Sequence, residues 1–434
     1  MKRKYPQLLI CDQQGRIYNL PDWQATGMKG GCFFPLGAKE LIKLPAGSEL
    51  FMLPGRLAVG YDRAAQRCVV LEPKGYFPVA AFVSPGFTIT YNSSFRQLKK
   101  CPSLPLFSYA AVCFYRGEFY VSALRVDREL RQDLRLMDLR KVRKNTAQLK
   151  KVFPRNRLIK HLENCALVYS CPAAKNFFLS RYEAPLPSSP FCNAYCAGCI
   201  SYQPKKSCPI TQPRIKFIPR PEELAEVALY HLQNVADPVV SFGQGCEGEP
   251  LLVAGVLEES IKLIRKKTAK GIINLNTNAS KPQALARLFD AGLDSIRVSL
   301  NSARETYYRR YYRPRGYAFN DLIQSIKVAK EKKGFVSINY LTMPGFTDSL
   351  DEYRALKNFV ATQRIDMIQW RNLNFDPLKY FTLLKINIRR QELLGLREII
   401  HSFRKQFPRL AQGYFNPSRL RMKRKIAQTQ KRSH

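Results

Sequence analysis

The chain has 434 residues and a formal net charge of +38 at pH 7, from 71 Lys and Arg against 33 Asp and Glu. Apolar residues make up 45% of the sequence, which permits packed cores in two or three domains and excludes wholesale disorder. No apolar run approaches the roughly 18 residues of a membrane span, and the apolar stretch behind the basic N terminus is too short for an export signal. Twelve cysteines are too sparse for a disulfide scaffold. We therefore expect a cytoplasmic protein with no membrane contact.

Residues 1–124 contain short apolar runs separated by turn residues and no long amphipathic helical pattern. This pattern predicts a β-rich N-terminal domain, whose expected strands are Leu50–Leu53, Leu57–Tyr61, Arg67–Leu71, Val79–Val83 and Phe119–Leu124. Residues 125–186 change to a charged helical pattern, which we interpret as a basic helical connector. Its apolar positions at helical spacing are Leu130, Leu134, Leu139 and Val142.

From residue 187 to residue 381, strand patterns alternate with amphipathic helices. The expected strands are Val239–Phe242, Gly271–Asn276, Ser295–Leu300, Val336–Thr342 and Met367–Arg371. The expected helices are Pro221–Leu232, Gly255–Lys267, Pro282–Ala291, Asn320–Lys333 and Ser349–Thr362. Such alternation predicts βαβ units and a parallel sheet that binds its ligands at the carboxyl ends of the strands. Residues 382–434 are expected to form a last helix, over residues 389–407, and a basic tail.

Three cysteines stand close together after a Pro- and Ser-rich stretch. Cys192, Cys196 and Cys199 have the spacing C-x3-C-x2-C, so three thiolates can face one metal group. Soft thiolates favour an iron–sulfur cluster or zinc, and zinc would take Cys208 as its fourth ligand. Three protein ligands on a four-iron cluster would leave one iron open for a small molecule.

This cysteine spacing, placed before repeated α/β units, resembles the signature of the radical SAM superfamily. The resemblance runs from about Ser188 to Phe381 and implies a partial (β/α)6 barrel. It also implies a [4Fe-4S] cluster on the three cysteines, with S-adenosyl-L-methionine bound to the open iron. In that family, an electron from a donor such as a ferredoxin or flavodoxin cleaves S-adenosylmethionine, and the resulting 5′-deoxyadenosyl radical attacks a substrate. The substrate of this chain is not identified by its sequence.

Further motifs of the family fall at the carboxyl ends of successive predicted strands. Gly248, Glu249 and Pro250 match the Gly-Gly-Glu-Pro turn that holds the methionyl ammonium. Thr277 and Asn278 match the start of a Thr-Asn-Gly motif, while Pro344, Gly345 and Asp348 match a Pro-Gly-x-x-Asp motif. The resemblance assigns Ser299 and Asn301 to the ribose and carboxylate of S-adenosylmethionine.

Two positions depart from the family pattern. Glu247 replaces the first glycine of the usual pair, and Gly198 stands where an aromatic residue usually packs beside the adenine. Cys165 and Cys171 are interpreted as structural, the alternative being a second cluster upstream. Polar residues at the end of the last predicted strand are expected to line the substrate cavity; they are Gln369, Arg371, Asn372 and Asn374.

The positive charge is concentrated in two segments outside the barrel. Residues 125–160 hold 13 basic and 4 acidic residues, and residues 401–434 hold 10 basic and none acidic. An Arg- and Tyr-rich stretch, residues 307–317, lies within the predicted barrel. These features leave two alternatives open: the same radical chemistry acting on RNA, and a non-enzymatic metal-containing nucleic-acid-binding protein.

Overall fold

A computed structural model describes residues 5–423 except 73–74, 205–207 and 388–389. Within this part of the chain, no helix combines the length and the apolarity needed to span a lipid bilayer. All twelve cysteines lie in it and are free thiols. The last eleven residues of the basic tail, 424–434, lie outside the described residues.

The N-terminal domain is built from antiparallel strands, which confirms the predicted β-rich character. Twelve of the strands join in one sheet, and β9 pairs separately with β14. The strands are β1 (Gln7–Cys11), β2 (Ile17–Lys29), β3 (Cys32–Pro35), β4 (Ile42–Lys43), β5 (Glu49–Met52), β6 (Arg56–Asp62), β7 (Arg67–Val70), β8 (Phe77–Phe82), β9 (Phe87–Ile89), β10 (Asn92–Ser93), β11 (Phe95–Gln97), β12 (Ala110–Tyr115), β13 (Glu118–Val121) and β14 (Ala123–Arg125). Apolar side chains at every second position of these strands form the domain core.

Three helices form the connector, namely α1 (Leu139–Val152), α2 (Arg157–Leu167) and α3 (Pro172–Phe178). Helix α1 buries Val142, Thr146 and Leu149 and exposes most of its basic side chains. The expectation that Leu130 and Leu134 share this helix is wrong. Each lies in its own short 3-10 turn, because the carboxylates of the residues before these turns accept backbone N–H groups and start them locally.

The predicted partial barrel is confirmed as a sheet of seven parallel strands paired in chain order. Its elements are β15 (Glu183–Pro185), α4 (Pro221–Asn234), β16 (Val239–Phe242), α5 (Ala254–Lys267), β17 (Ile272–Thr277), α6 (Pro282–Ala291), β18 (Ser295–Leu300), α7 (Glu305–Tyr312), α8 (Phe319–Glu331), β19 (Phe335–Thr342), α9 (Leu350–Thr362), β20 (Met367–Asn372), α10 (Pro377–Leu384), α11 (Leu396–Gln406) and β21 (Ala411–Gly413). The apolar faces of the helices cover the sheet, and together they form the largest core of the protein.

The C-terminal segment differs from the sequence expectation in two ways. Helix α11 begins at Leu396 instead of residue 389, directly after Gly395, whose φ of +89° lies outside the helical region. After this helix, β21 pairs in parallel with β20 and extends the barrel sheet. The chain then returns to the first strand of the barrel sheet, β15. The hydroxyl of Tyr182, which directly precedes β15, donates to the carbonyl of Asn416 at 2.6 Å. Residues 411–416 therefore belong to the barrel rather than to an appended tail.

The N-terminal domain packs against the loops that follow β19 and β20. Two buried ion pairs cross this interface: Lys29 with Asp348 at 2.7 Å, and Arg56 with Asp376 at 3.1 Å. Asp348 belongs to the predicted Pro-Gly-x-x-Asp motif, and its carboxylate also accepts the N–H of Gly345. This motif therefore shapes a loop and anchors the N-terminal domain to one side of the barrel mouth.

Candidate functional site

The cysteine loop follows β15 and is held by main-chain hydrogen bonds to the end of α7. The N–H groups of Tyr195 and Ala197 donate to the carbonyls of Tyr312 and Tyr311 at 3.0 and 2.9 Å. Both tyrosines belong to the Arg- and Tyr-rich stretch, and their side chains are buried, as is that of Tyr308. These rings form part of the core and of the support for the cysteine loop, so they are not available to stack on nucleic-acid bases.

The three cysteines of this loop are spread wider than the ligands of a single ion. Cys192, Cys196 and Cys199 are partly exposed, and their sulfur atoms do not all lie within 4.8 Å of one another. A tetrahedral zinc ion, with bonds of about 2.3 Å to each sulfur, would draw its thiolates to within about 3.8 Å. The three sulfur atoms are therefore not gathered as closely as the thiolates of a single zinc ion would be.

Neighbouring groups affect the chemistry of these thiols. Burial raises the pKa of Cys192 to about 11 and raises the pKa of Cys196 well above its ordinary value. Metal binding must therefore displace protons from them. The guanidinium of Arg214 lies 3.5 Å from the Cys199 sulfur and 3.0 Å from the Ser201 hydroxyl. Sequence reasoning missed Arg214, because fifteen residues separate it from Cys199 and no motif includes it.

The turn after β16 packs directly against the cysteine loop. The N–H groups of Gly248 and Glu249 donate to the carbonyls of Ser189 and Phe191 at 2.6 and 2.7 Å. A Cβ atom on Gly248 would lie 1.9 Å from the Phe191 oxygen, so only glycine fits this contact. The structure thus brings the predicted Gly248 and Glu249 next to the loop that carries Cys192.

The carboxylate of Glu249 joins this turn to the end of the next strand. It accepts the Thr277 hydroxyl at 2.5 Å, the Asn278 N–H at 2.8 Å and the Leu251 N–H at 3.1 Å. The Asn278 amide donates in turn to the side-chain oxygen of Asn193 in the cysteine loop at 2.7 Å. Four predicted residues, Gly248, Glu249, Thr277 and Asn278, therefore form one hydrogen-bonded unit with the cysteine loop.

Burial raises the pKa of Glu249 from 4.5 to about 7, although its three hydrogen bonds oppose the shift. Between about pH 4.5 and 7 the folded chain holds a proton that the unfolded chain releases, so this group makes stability fall as pH rises through that window. Glu249→Gln removes the titration. We therefore expect the free energy of unfolding of the cluster-free variant, relative to that of the wild type, to rise by up to about 3 kcal/mol from pH 5 to pH 8. Urea unfolding at each pH measures this difference. The prediction is contradicted if this difference stays constant from pH 5 to pH 8. It is also contradicted if the exposed control, Glu259→Gln, shows the same dependence on pH.

The unusual Glu247 makes a separate set of hydrogen bonds beside this unit. Its carboxylate accepts the N–H and hydroxyl of Ser188, both at 2.8 Å, and the N–H of Gln244 at 2.6 Å. Burial raises its pKa to about 7, against the effect of these donors. Glu247 replaces glycine here because its side chain fixes the chain segment that enters the cysteine loop.

The unusual Gly198 is explained by a neighbour from α7. A Cβ atom on Gly198 would lie 2.7 Å from the Tyr311 hydroxyl and 3.3 Å from the Asn374 carbonyl. An aromatic side chain at position 198 would collide with both. Tyr311 occupies this space and reaches it from a distant part of the sequence.

The inner face of the barrel is polar. Ser299 on β18 lies level with Asn339 on β19, and Asn339 lies level with Gln369 on β20. Ser299 is partly exposed, and no hydrogen bond from its hydroxyl is found in the described part of the chain. Asn301 instead is fully buried, and its amide donates to the Tyr380 hydroxyl at 3.1 Å. Of the two residues predicted here, Ser299 lies on β18 and Asn301 lies directly after its end.

Two arginines inside the barrel have no carboxylate partner in the described part of the chain. Arg297 on β18 contacts the side-chain oxygens of Gln369 and Asn416 at 3.3 and 3.5 Å, and Arg371 on β20 donates to the Tyr414 carbonyl at 3.1 Å. Burial, and secondarily the charge of Arg371, lowers the pKa of Arg297 to about 9. The predicted substrate-side residues Gln369 and Arg371 thus lie near Arg297 in the barrel interior, where the Glu183 carboxylate offsets part of the positive charge. Asn372 lies elsewhere, since its side chain bonds to the Phe87 carbonyl and the Ile89 N–H of the N-terminal domain.

Comparison with known proteins identifies the region that carries this site. Residues 186–356 match the family model of the Radical SAM superfamily. No curated protein sequence matches the chain. Among solved structures, similarity is found to SuiB of Streptococcus suis bound to the precursor peptide SuiA, at 15% identity and a TM-score of 0.37, covering 59% of this chain and 52% of that one.

Similarity of the same order is found to methylornithine synthase (PylB), with 17% identity, a TM-score of 0.39 and coverage of 57% and 70%. The FeFe-hydrogenase maturase HydG of Carboxydothermus hydrogenoformans gives 14% identity, a TM-score of 0.39 and coverage of 67% and 73%. The chain thus spans about half the length of SuiB. The match to the Radical SAM superfamily model covers residues 186–356, which hold the three clustered cysteines and the strand-end motifs.

Proposed function

We propose that this chain is a radical SAM enzyme in which Cys192, Cys196 and Cys199 hold a [4Fe-4S] cluster. The observation that carries the proposal is the hydrogen-bonded unit of Gly248, Glu249, Thr277 and Asn278, packed against the cysteine loop. When bound, such a cluster supplies the electron that cleaves S-adenosylmethionine into methionine and a 5′-deoxyadenosyl radical.

The residues around the cysteine loop are suited to bind S-adenosylmethionine. A carboxylate offers about four acceptor sites, and Glu249 uses three of them within the protein, which leaves one for the methionyl ammonium. Gly248 lets the backbone of this turn pack directly on the cysteine loop. Ser299 offers an unpaired hydroxyl on the inner face for the ribose or carboxylate. Asn301 remains a second candidate for this contact, since its side-chain oxygen has no hydrogen-bond partner among the described residues.

The electron donor must approach the cluster from outside the barrel. Cys196 borders a surface cavity of about 630 Å³, which is lined also by Arg313, Arg315 and Lys379. These cations favour a donor with an acidic surface, such as a ferredoxin or flavodoxin. The free thiols of the chain agree with a reducing cytoplasm, which we propose as its location.

The substrate remains unidentified, and the two arginines of the barrel interior favour one with an anionic group. RNA stays a prediction. Three tyrosines of the Arg- and Tyr-rich stretch, Tyr308, Tyr311 and Tyr312, do not support it, since they are buried. The basic face of α1 does, because Arg140, Lys141, Arg143 and Lys144 are all exposed.

The test is anaerobic reconstitution with iron and sulfide, reduction with dithionite, and measurement of 5′-deoxyadenosine and methionine. We expect the wild-type protein to form both, and Cys192→Ala, Cys196→Ala and Cys199→Ala each to form neither. Cys208→Ala is the matched control and should retain the cluster and the activity, because its thiol donates to the Leu104 carbonyl instead. A fully loaded cluster that neither binds nor cleaves S-adenosylmethionine overturns the proposal and favours the non-enzymatic alternative.

A further inference from the structure

A second group of metal-binding side chains lies outside the cysteine loop. In the described residues, one set of three His, Cys, Asp or Glu side chains has its ligand atoms within 4.8 Å of one another, and it consists of His161, Cys165 and Cys246. Cys165 and Cys246 are buried, and His161 is partly exposed. The set joins the connector helices to the turn after β16, two regions that lie about eighty residues apart in the chain.

The geometry of this set suits a tetrahedral ion. His161 and Cys165 lie four residues apart on α2 and therefore share one face of that helix. The Cys165 sulfur lies 3.5 Å from the His161 Nε2 atom. A tetrahedral zinc ion with bonds of about 2.3 Å to sulfur and about 2.0 Å to nitrogen places these two ligand atoms about 3.5 Å apart. Unlike the clustered cysteines 192, 196 and 199, this set has the compactness of a single-ion site.

A fourth thiol and an unpaired amide complete the surroundings. Cys171, at the start of α3, donates its N–H to the Cys165 carbonyl at 2.9 Å, so the chain turns back onto the group. The amide of Gln212 lies beside the thiols of Cys165 and Cys171. Its nitrogen is buried, and no described residue accepts a hydrogen bond from it. A metal-bound thiolate would be the acceptor that this amide lacks.

We propose that His161, Cys165 and Cys246 bind one structural Zn²⁺ ion, and that Cys171, whose sulfur lies outside the set within 4.8 Å, becomes the fourth ligand when its side chain turns toward the ion. Each of the three thiols loses its proton to solvent as its zinc–sulfur bond forms, neutral His161 donates a nitrogen lone pair, and no electron is transferred. Three cysteines and one histidine make a closed tetrahedral site of the structural kind, with no position left for a substrate. The ion ties α2 and α3 to Cys246, which directly precedes the Glu247–Glu249 segment, and so stiffens the turn that packs on the cysteine loop.

The experiment separates this ion from any iron–sulfur cluster. Full-length protein carrying Cys192→Ala, Cys196→Ala and Cys199→Ala is expressed with added zinc, and its metal content is measured. We expect about one zinc per chain. Adding Cys165→Ser or His161→Gln should weaken Zn²⁺ binding at least about tenfold in competition with a chelator, whereas Cys208→Ser should leave it unchanged.

A second measurement needs no substituted ligand. Bound zinc should protect Cys165, Cys171 and Cys246 of the triple variant from alkylation, read by peptide mass spectrometry with and without a chelator. The proposal is overturned if the folded triple variant binds no zinc, or if zinc leaves alkylation of these thiols unchanged. Iron in place of zinc, or a Cys165–Cys246 disulfide, overturns it as well. None of these outcomes depends on S-adenosylmethionine cleavage.

Discussion

Gly248→Ala is expected to lower the rate of 5′-deoxyadenosine formation by about 100-fold or more. The added Cβ atom would lie 1.9 Å from the Phe191 oxygen and 3.2 Å from the Cys192 nitrogen. The turn and the cysteine loop must therefore move apart, which breaks the contacts of Gly248 and Glu249 with that loop. A displacement of about 1 Å in a catalytic arrangement costs about 100-fold in rate, and such overpacking costs about 1–3 kcal/mol of stability.

The matched control is Gly255→Ala. A Cβ atom on Gly255, in the first turn of α5, meets nothing within 4 Å. Alanine there should preserve activity and add about 0.5–1 kcal/mol of stability, because glycine is a poor helix former. If Gly248→Ala keeps both the wild-type rate and the wild-type iron content, the close packing of the turn on the cysteine loop is not needed for activity.

Asp376→Ala is expected to cost about 4–6 kcal/mol of stability and to loosen the N-terminal domain from the barrel. The Asp376 carboxylate accepts from an Nη atom of Arg56 at 3.1 Å, and the Arg56 side chain is buried. Removing one partner of such a pair leaves an uncompensated buried charge, at a cost of about 3–5 kcal/mol. Asp376 also caps α10 by accepting the N–H of Leu378 at 3.0 Å, and losing a cap costs about 1 kcal/mol more.

Asp376→Asn separates the two contributions, because asparagine caps a helix as well as aspartate does but carries no charge. Asp376→Asn should therefore show most of the loss of stability that Asp376→Ala shows. The exposed Asp351, whose carboxylate lies 3.9 Å from Arg354, is the control, and Asp351→Ala should cost at most about 1 kcal/mol. Urea unfolding measures all three variants. Equal midpoints for Asp376→Ala and Asp351→Ala would show that the Arg56 pair contributes little to holding the domains together.

Much of the barrel followed from local pattern. The strand over residues 295–300 and the helix over residues 282–291 lie where predicted, because alternating burial and 3.6-residue periodicity are properties of neighbouring residues. The C-terminal strand β21 could not be predicted in this way. It has only three residues, and its place beside β20 depends on pairing across about forty residues.

The same distinction between local patterns and long-range contacts applies to the candidate site. Motifs of adjacent residues, such as the cysteine triplet and Gly248 with Glu249, were visible in the sequence. Residues that come to the site from distant parts of the sequence could not be identified in this way. Tyr311 fills the space beside Gly198, Arg214 lies beside Cys199, and the contact between them and the cysteine loop exists only in the folded chain.

The sequence by itself determined the chemistry that this protein can support, because cysteine spacing and strand-end motifs depend on residue type and short separations. It also located half of the excess charge in two segments, residues 125–160 and 401–434. Only the tertiary structure decided which of these residues meet. It brought Ser299 to the inner face and buried Asn301, and it turned a set of tyrosines from candidate base-stacking residues into core. It also brought His161 and Cys165 to Cys246. The physical reason is that such contacts depend on how helices and strands pack, which no local pattern encodes.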